Sequence, residues 1–326
     1  MIKSFSDLVR VVYKDDSKIA WDKCENFSLA FSKLIRRELI ESGKEGAKNA
    51  FLTSLASYSM RSLDFDAYLS KVNLQVEDLS KQGYQPILRQ YKITTASRLV
   101  IGLGVEHPLE TSLTIHHLFG IPYIPGTALK GVCRMVSFWD IAIEEARGEE
   151  IEEGEIENLQ KELYEGLIFD RSSSKDKGKE DSPKRVLHKL LFGTQDFKGL
   201  FLFLDAFPVI NNNVSLFDVD IINVHYKSYY SDDTGKTPPG DWENPIPIPF
   251  LTVKENTSFN FSVLFDKIRF KELIKKEIPS EVKGAIDFLK DDTFLKELVE
   301  NWVKKALTEF GIGAKTRLGY GYFKIL

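Results

Sequence analysis

The sequence is poor in the residues that build covalent or metal frameworks. Its 326 residues include two cysteines, Cys24 and Cys133, far apart and without CxxC spacing or a nearby histidine cluster. That excludes a disulfide scaffold and a zinc finger, and it fits a reducing cytoplasm. No apolar run reaches the roughly eighteen residues a membrane-spanning helix needs, so no membrane contact is expected. Met1 to Val12 carry Lys3, Asp7 and Arg10 without a long apolar stretch, unlike a secretory leader. An excess of positive charge is also missing. The formal net charge is -4, so any contact with nucleic acid must be local or shared with partner subunits. Neither a Walker-type Gly-Lys-Ser/Thr junction between a strand and a helix nor a pair of usefully spaced carboxylates occurs, and no cofactor or metal is expected.

What remains is an ordinary globular composition, 43% hydrophobic and 28% charged, long enough for a sizeable core. Residues 1–85 carry helical periodicity: Phe27, Ala30, Phe31 and Leu34 form one stripe, Phe51, Leu52 and Leu55 a second, and Tyr68, Leu69, Val72, Val76 and Leu79 a third. From Ile87 the period changes to that of a strand, which Gly102 and Gly104 end. Gly199–Phe207 reads as a buried strand, and Phe259, Phe261, Val263 and Phe265 alternate as another. Glu144, Glu145, Glu149, Glu150, Glu152, Glu153, Glu155 and Glu157 crowd into a solvated helix face or loop, and residues 171–183 lack apolar side chains and read as a mobile insert.

Two stretches carry chemistry. In Ile124-Pro125-Gly126-Thr127-Ala128-Leu129-Lys130-Gly131, a Pro-Gly turn precedes a helix, with Thr127 expected as N-cap and Lys130 and Arg134 on one side of it. Helix amides, dipole and cations would there converge on a phosphate. The second is the C-terminal loop, where Gly311, Gly313, Gly319 and Gly321 surround Lys315, Thr316 and Arg317. A helix ending at Phe310 precedes it, and a strand from Tyr320 to Leu326 is expected after it. Glycines admit left-handed backbone and close approach to main-chain amides, and amides beside cations hold phosphates. Between the strands lies a segment with His225, Tyr226, Tyr229 and Tyr230 and prolines at 238, 239, 245, 247 and 249, expected to be an extended loop that packs or stacks through its aromatics.

Those two stretches, with the strand after Leu191-Phe192-Gly193, resemble the RAMP superfamily of CRISPR-associated proteins over about residues 90–326. The tyrosine-proline segment, with Pro239-Gly240-Asp241-Trp242 and Pro245-Ile246-Pro247-Ile248-Pro249, is similar to the family of sixth subunits of the type III-B effector, the Cmr complex. The resemblance implies an α+β protein with a ferredoxin-like, RRM-like core at 86–326, elaborated by insertions and preceded by an N-terminal helical extension at 1–85. It implies a non-catalytic subunit that contacts CRISPR guide RNA and target RNA, joins other RAMP subunits and caps their filament near the 3′ end of the guide in antiviral defence. Carried over residue by residue, Gly126, Thr127, Lys130 and Arg134, and Gly311, Gly313, Lys315, Thr316, Arg317, Gly319 and Gly321, become RNA-backbone contacts, while His225, Tyr226 and Tyr229 are left for interface or stacking. An alternative remains: a RAMP-type endoribonuclease that processes guide precursors, with His116 or His117 as acid or base. Adjacent residues on a strand face opposite ways, so only one of the two is expected in such a site.

Overall fold

The computed structural model describes residues 13, 18–20, 24, 26–36, 45–59, 62–165, 182–210, 214–275 and 280–325. The insert expected at 171–183 lies outside them, except for Ser182 and Pro183, which open a helix.

The N-terminal periodicity is realised in α1 (Phe27–Ser32), α2 (Glu45–Ala56) and α3 (Ser62–Lys81). Asn26 caps α1 by accepting the Leu29 amide proton, and its own amide donates to the carbonyl oxygens of His117 and Leu118. Phe27, Phe31, Phe51, Leu52 and Leu55 are fully buried in the main core, and Phe27 stacks on Phe217 with ring centroids 4.0 Å apart. The first helices are therefore packed into the body of the protein.

Strand β1 (Tyr84–Thr95) is the centre of an antiparallel sheet. It pairs with β6 (Ser258–Asp266) from Tyr84 opposite Asp266 to Thr94 opposite Ser258, with two bulges. On its other side it meets β7 (Phe323–Lys324), and the far side of β6 takes up β2 (Phe201–Phe203) and β3 (Phe207–Pro208). The order is β2-β6-β1-β7. The long apolar strand read over 199–207 is interrupted at Leu204-Asp205-Ala206, and the closing strand is shorter than 320–326.

Several helices lie against this sheet, among them α3, whose Glu77 pairs with Arg89 of β1. Helix α4 (Gly126–Ala146) buries Leu129, Cys133, Val136, Ile141 and Ala142 at helical spacing and ends where Arg147 turns left-handed, φ 50°. Next come α5 (Glu153–Glu165) and α6 (Pro183–Phe192). The acidic run is thereby divided between two helices and their turn. Its Glu145, with Glu162, holds the buried Arg185 guanidinium, and Glu144 pairs with Lys184. After β6 come α8 (Lys267–Ile274), α9 (Ser280–Phe288) and α10 (Asp292–Lys305), while the short helix α7 (Lys227–Tyr230) lies before β6. Asp291 caps α10 by accepting the amide protons of Thr293 and Phe294. Leu295, Val299, Trp302 and Val303 form its buried stripe, each adding on the order of 1.5–3 kcal/mol of apolar burial.

A second, two-stranded ribbon pairs β4 (Phe217–Val224) with β5 (Ile246–Val253). The proline series was expected to be an extended loop, but Pro247 and Pro249 lie within β5, opposite Asn223 and Ile221. A ribbon edge tolerates residues without an amide proton. The tyrosine segment between the strands is likewise partly helical, contrary to expectation, in α7. Among the described residues no helix is long and apolar enough to cross a membrane.

Candidate nucleic-acid interface

The glycine loop begins where α10 widens into a π-helical turn, Ala306–Phe310, and Gly311 leaves it at φ 75° with its amide on the Ala306 carbonyl, 2.9 Å. The loop is fixed from three directions. Ile312 N donates to Gly321 O at 2.9 Å, Ala314 N to Val100 O at 2.8 Å, and Gly321 N to Arg98 O at 2.8 Å. Close approach explains two of the glycines. A Cβ on Gly313 would stand 2.3 Å from the Val100 carbonyl oxygen, and one on Gly321 would stand 2.0 Å from that of Ile312. Gly319 has open space around it and is glycine for its φ of 91°.

Between these anchors Lys315 is left-handed, φ 62°, and opens the 3₁₀ turn Thr316–Leu318. The amides of Lys315, Thr316 and Arg317 donate to no acceptor among the described residues. Three successive amides at a left-handed-to-right-handed junction form a concave anion nest. Arg317 is exposed and Lys315 half-exposed, and neither is paired with a carboxylate among the described residues. Leu318, at the tip, is 70% exposed.

The loop is also tied to the ribbon. Tyr320 Oη donates to Asp220 Oδ2 at 2.6 Å, Arg98 Nη1 reaches the same oxygen at 2.7 Å, and Arg98 Nη2 reaches Asp218 Oδ2 at 2.8 Å. Burial and the Asp220 carboxylate push the Tyr320 hydroxyl up to about 12. Burial opposes ionisation of Asp220, but hydrogen bonds from Tyr320 and Ile221 N and the Arg98 charge outweigh it and lower its pKa. No periodicity in the sequence revealed Arg98, Asp218 or Asp220; only the facing of loop and ribbon brings them together.

The helix motif differs from expectation. Pro125, not Thr127, occupies the N-cap position, and Thr127 is exposed within the first turn. The Gly126 amide, meant for a phosphate, donates to Asp205 Oδ1 at 2.7 Å. An internal carboxylate thus sits at the positive end of the helix dipole. Gly126 itself is required by packing, because a Cβ would stand 2.2 Å from Phe203 O. Lys130 is half-buried and donates from Nζ to Phe201 O at 3.1 Å, and the Arg134 guanidinium lies 5.7 Å above the Tyr164 ring. Helix amides and cations therefore do not converge on one point. Nor does this motif meet the glycine loop. Bridges run from Ala314 and Val100 through Ile101 and Thr114, then Ile115 and Pro122, to Ile124 and Ala206. That is about three inter-strand steps, on the order of 15 Å.

His116 and His117 do not face opposite ways. They lie at a turn, and their rings stack at 5.4 Å with an 11° interplanar angle. His116 is wedged against Phe119, Tyr123 and Phe207, and its Nδ1 accepts the Phe119 amide proton at 3.4 Å. Burial, and secondarily His117, lowers its pKa. At the far end of the ribbon, Tyr226 is left-handed with its hydroxyl on Asp241 Oδ1 at 2.8 Å, His225 tilts against Tyr226, and Tyr229 is exposed.

Among the described residues, a lysine and an arginine without carboxylate partners thus stand beside unclaimed amides on a glycine loop carried by an antiparallel sheet with helices against it. The model of the RAMP superfamily matches residues 92–324, and the chain belongs to that superfamily. It is similar to CRISPR system Cmr subunit Cmr6 of Pyrococcus furiosus, at 34% identity over 249 residues, covering 71% of this chain and 66% of that protein. The chain thus spans just under two thirds of that relative's length. The crystal structure of Cmr6 from Pyrococcus furiosus aligns at 32% identity and TM-score 0.40 over 72% of this chain and 97% of that one. A cryo-EM structure of the Type III-B Cmr-beta bound to cognate target RNA includes a chain that aligns at 16% identity and TM-score 0.51, covering 99% of this chain and 97% of that one, a likeness of fold.

Proposed function

We propose that this chain is a Cmr6-like, non-catalytic subunit of a type III-B CRISPR effector in the cytoplasm, which grips guide RNA and caps the filament of related subunits near the guide's 3′ end, with target RNA and other RAMP subunits as its partners. The 34% identity to a Cmr6 supports the assignment to such a complex. The observation that carries the RNA-binding role is the loop itself. The unused amides of Lys315, Thr316 and Arg317 and two cations without carboxylate partners are held on a pinned scaffold in a protein that is acidic overall. Such groups bind phosphates without reading bases, which suits a guide whose sequence varies. Gly311, Gly313, Gly319 and Gly321 shape the loop. Thr127, Lys130 and Arg134 on α4 make a second contact with the backbone.

In this reading β1, α4, β2, β6, α10 and β7 are the ferredoxin-like core. The observed order β2-β6-β1-β7, with a helix after β1 and another after β6, supports it. Residues 1–85 are the extension and 86–326 the RAMP domain, and the ribbon end with His225, Tyr226 and Tyr229 serves an interface. The processing-nuclease alternative is not adopted: the identity to a Cmr6 favours the effector subunit, and His116, one of its two candidates, is engaged in aromatic packing.

Gentle purification of the tagged protein from its host tests the assignment. Related RAMP subunits and short guide RNA should copurify. Recovery of the protein alone, together with cleavage of added precursor RNA that disappears on His116→Ala or His117→Ala, would overturn it in favour of the nuclease.

A further inference from the structure

Away from the glycine loop, a further group of cations has no carboxylate partner among the described residues. On the free side of β2, Arg269 Nη1 donates to Lys198 O at 2.5 Å and to Gly199 O at 3.5 Å, and Lys130 Nζ donates to Phe201 O. Arg134 stands one turn beyond Lys130 on α4, and Lys198 is exposed at the start of the edge. Lys130 and Arg269 thus hold carbonyls between Lys198 and Phe201, where the chain enters β2, and Arg134 and Lys198 are close enough for their charges to act on Lys130. None is within ion-pair distance of a carboxylate among the described residues. Two acids close by in sequence are otherwise placed: Asp266 caps α8 by accepting the Arg269 amide proton, and Asp196 is two residues from Lys198 without an ion pair among the described residues. Burial lowers the Lys130 pKa, and Arg134, Lys198 and Arg269 lower it further. In a chain of net charge -4 this is a local surplus that an anion would relieve.

We propose that Lys130, Arg134, Lys198 and Arg269 form a second phosphate site, for the sugar-phosphate backbone of single-stranded RNA, at the end of the sheet remote from the glycine loop. Capping the carbonyls uses one donor nitrogen each from Lys130 and Arg269, leaving further N–H donors on both groups. The guanidinium groups are already oriented, Arg134 over Tyr164 and Arg269 at 5.1 Å over Phe197, so little freedom is lost when their planar forks meet phosphate oxygens. Phe201 pairs with Phe265, and Phe265 with Gln85 near the start of β1, whereas the loop is pinned at Arg98 and Val100 beyond its end. The two sites are on the order of 30 Å apart along the strands, so they bind different segments of RNA. Lys130 and Arg134, which the sequence placed with the Gly126 helix motif, form this remote site together with Lys198 and Arg269. The inference rests on the reading of the chain as an RNA-binding subunit.

A photoreactive amino acid at the exposed position 198, and in a separate preparation at 318, tests both sites in the full chain incubated with synthetic single-stranded RNA of mixed sequence. Crosslinks at both positions are expected. Lys198→Ala with Arg269→Ala should reduce the magnitude of the logarithmic salt slope of binding by about 1.4, two phosphate contacts at about 0.7 each. Lys198→Ala alone, at an exposed side chain, should reduce it by about half as much, which separates lost contacts from misfolding. RNA crosslinks at 318 but not at 198, with an unchanged salt slope in the variants, would overturn this site and leave the loop standing. Crosslinks at neither would overturn both. Crosslinking from 198 to an acidic protein instead of RNA, in the purified complex, would also overturn it.

Discussion

Tyr320 and Asp220, a hundred residues apart in the chain, are joined by a 2.6 Å hydrogen bond that fastens the end of the glycine loop to β4. Arg98, whose carbonyl also receives the Gly321 amide, completes the junction. The loop's shape therefore depends on a sheet it does not belong to. Tyr320→Phe removes one hydrogen bond from the carboxylate but leaves Arg98 in place, and should destabilise the protein by about 0.5–1.5 kcal/mol in chemical denaturation. Arg98→Ala, which leaves both Asp218 and Asp220 without their cation, should weaken RNA binding more than Tyr320→Phe does. Equal RNA affinity in both variants and the parent would show that the junction does not shape the loop.

Replacing Lys315 and Arg317 together with alanine should weaken binding to unrelated single-stranded RNAs alike. The logarithmic salt slope should fall in magnitude by about 1.4, because two phosphate contacts no longer release counterions. Filter binding across a salt series measures this. A retained slope accompanied by altered sequence preference would contradict phosphate gripping.

Alanine at the glycines should separate packing from backbone freedom. Gly126→Ala and Gly321→Ala drive a Cβ to within 2.2 Å and 2.0 Å of carbonyl oxygens and should each cost about 1–3 kcal/mol or more. Gly319→Ala meets no atom and should cost only the strain of a left-handed residue, about 1–2 kcal/mol. Thermal unfolding of the three variants ranks them. Gly319→Ala as the most damaging would refute the packing account.

His188 is buried with Nδ1 3.0 Å from Ser137 Oγ, and burial, then Arg134 and Lys189, lowers its pKa to about 3. The unfolded chain binds this proton near pH 6.5, the folded chain only near 3. Between those values the unfolded state holds more protons, so stability should fall as pH drops below about 6.5, by up to about 1.4 kcal/mol per pH unit. His188→Gln should flatten that part of the stability profile. An identical profile in the variant would assign the acid sensitivity to other groups.

Much of the fold was legible because it rests on short-range pattern. The stripes through Phe27 and Phe31 and through Phe51 and Leu55 became helices, as did the segment before the glycine loop, and the alternation of Phe259, Phe261, Val263 and Phe265 became the long partner of β1. Strand β4 was missed because Asp218 and Asp220 point to the loop junction while Ile221 and Ile222 break the alternation. The stacking of His116 on His117 was also misjudged, because the turn that follows Ile115 cancels the opposite-face rule of a strand.

The sequence by itself determined the family its motifs mark and where glycines and cations cluster along the chain, since their spacing is a local fact. Only the tertiary structure decided what each group is left to do. The Gly126 amide was assigned to a ligand until Asp205, seventy-nine residues away, took it, whereas the amides of Lys315 to Arg317 stay unclaimed because the surrounding anchors use their neighbours instead. Lys130, read as a phosphate contact beside the Gly126 turn, donates instead to the Phe201 carbonyl at the β2 edge. A donor's availability depends on every acceptor that folding brings within about 3 Å of it, and those contacts lie far apart along the chain.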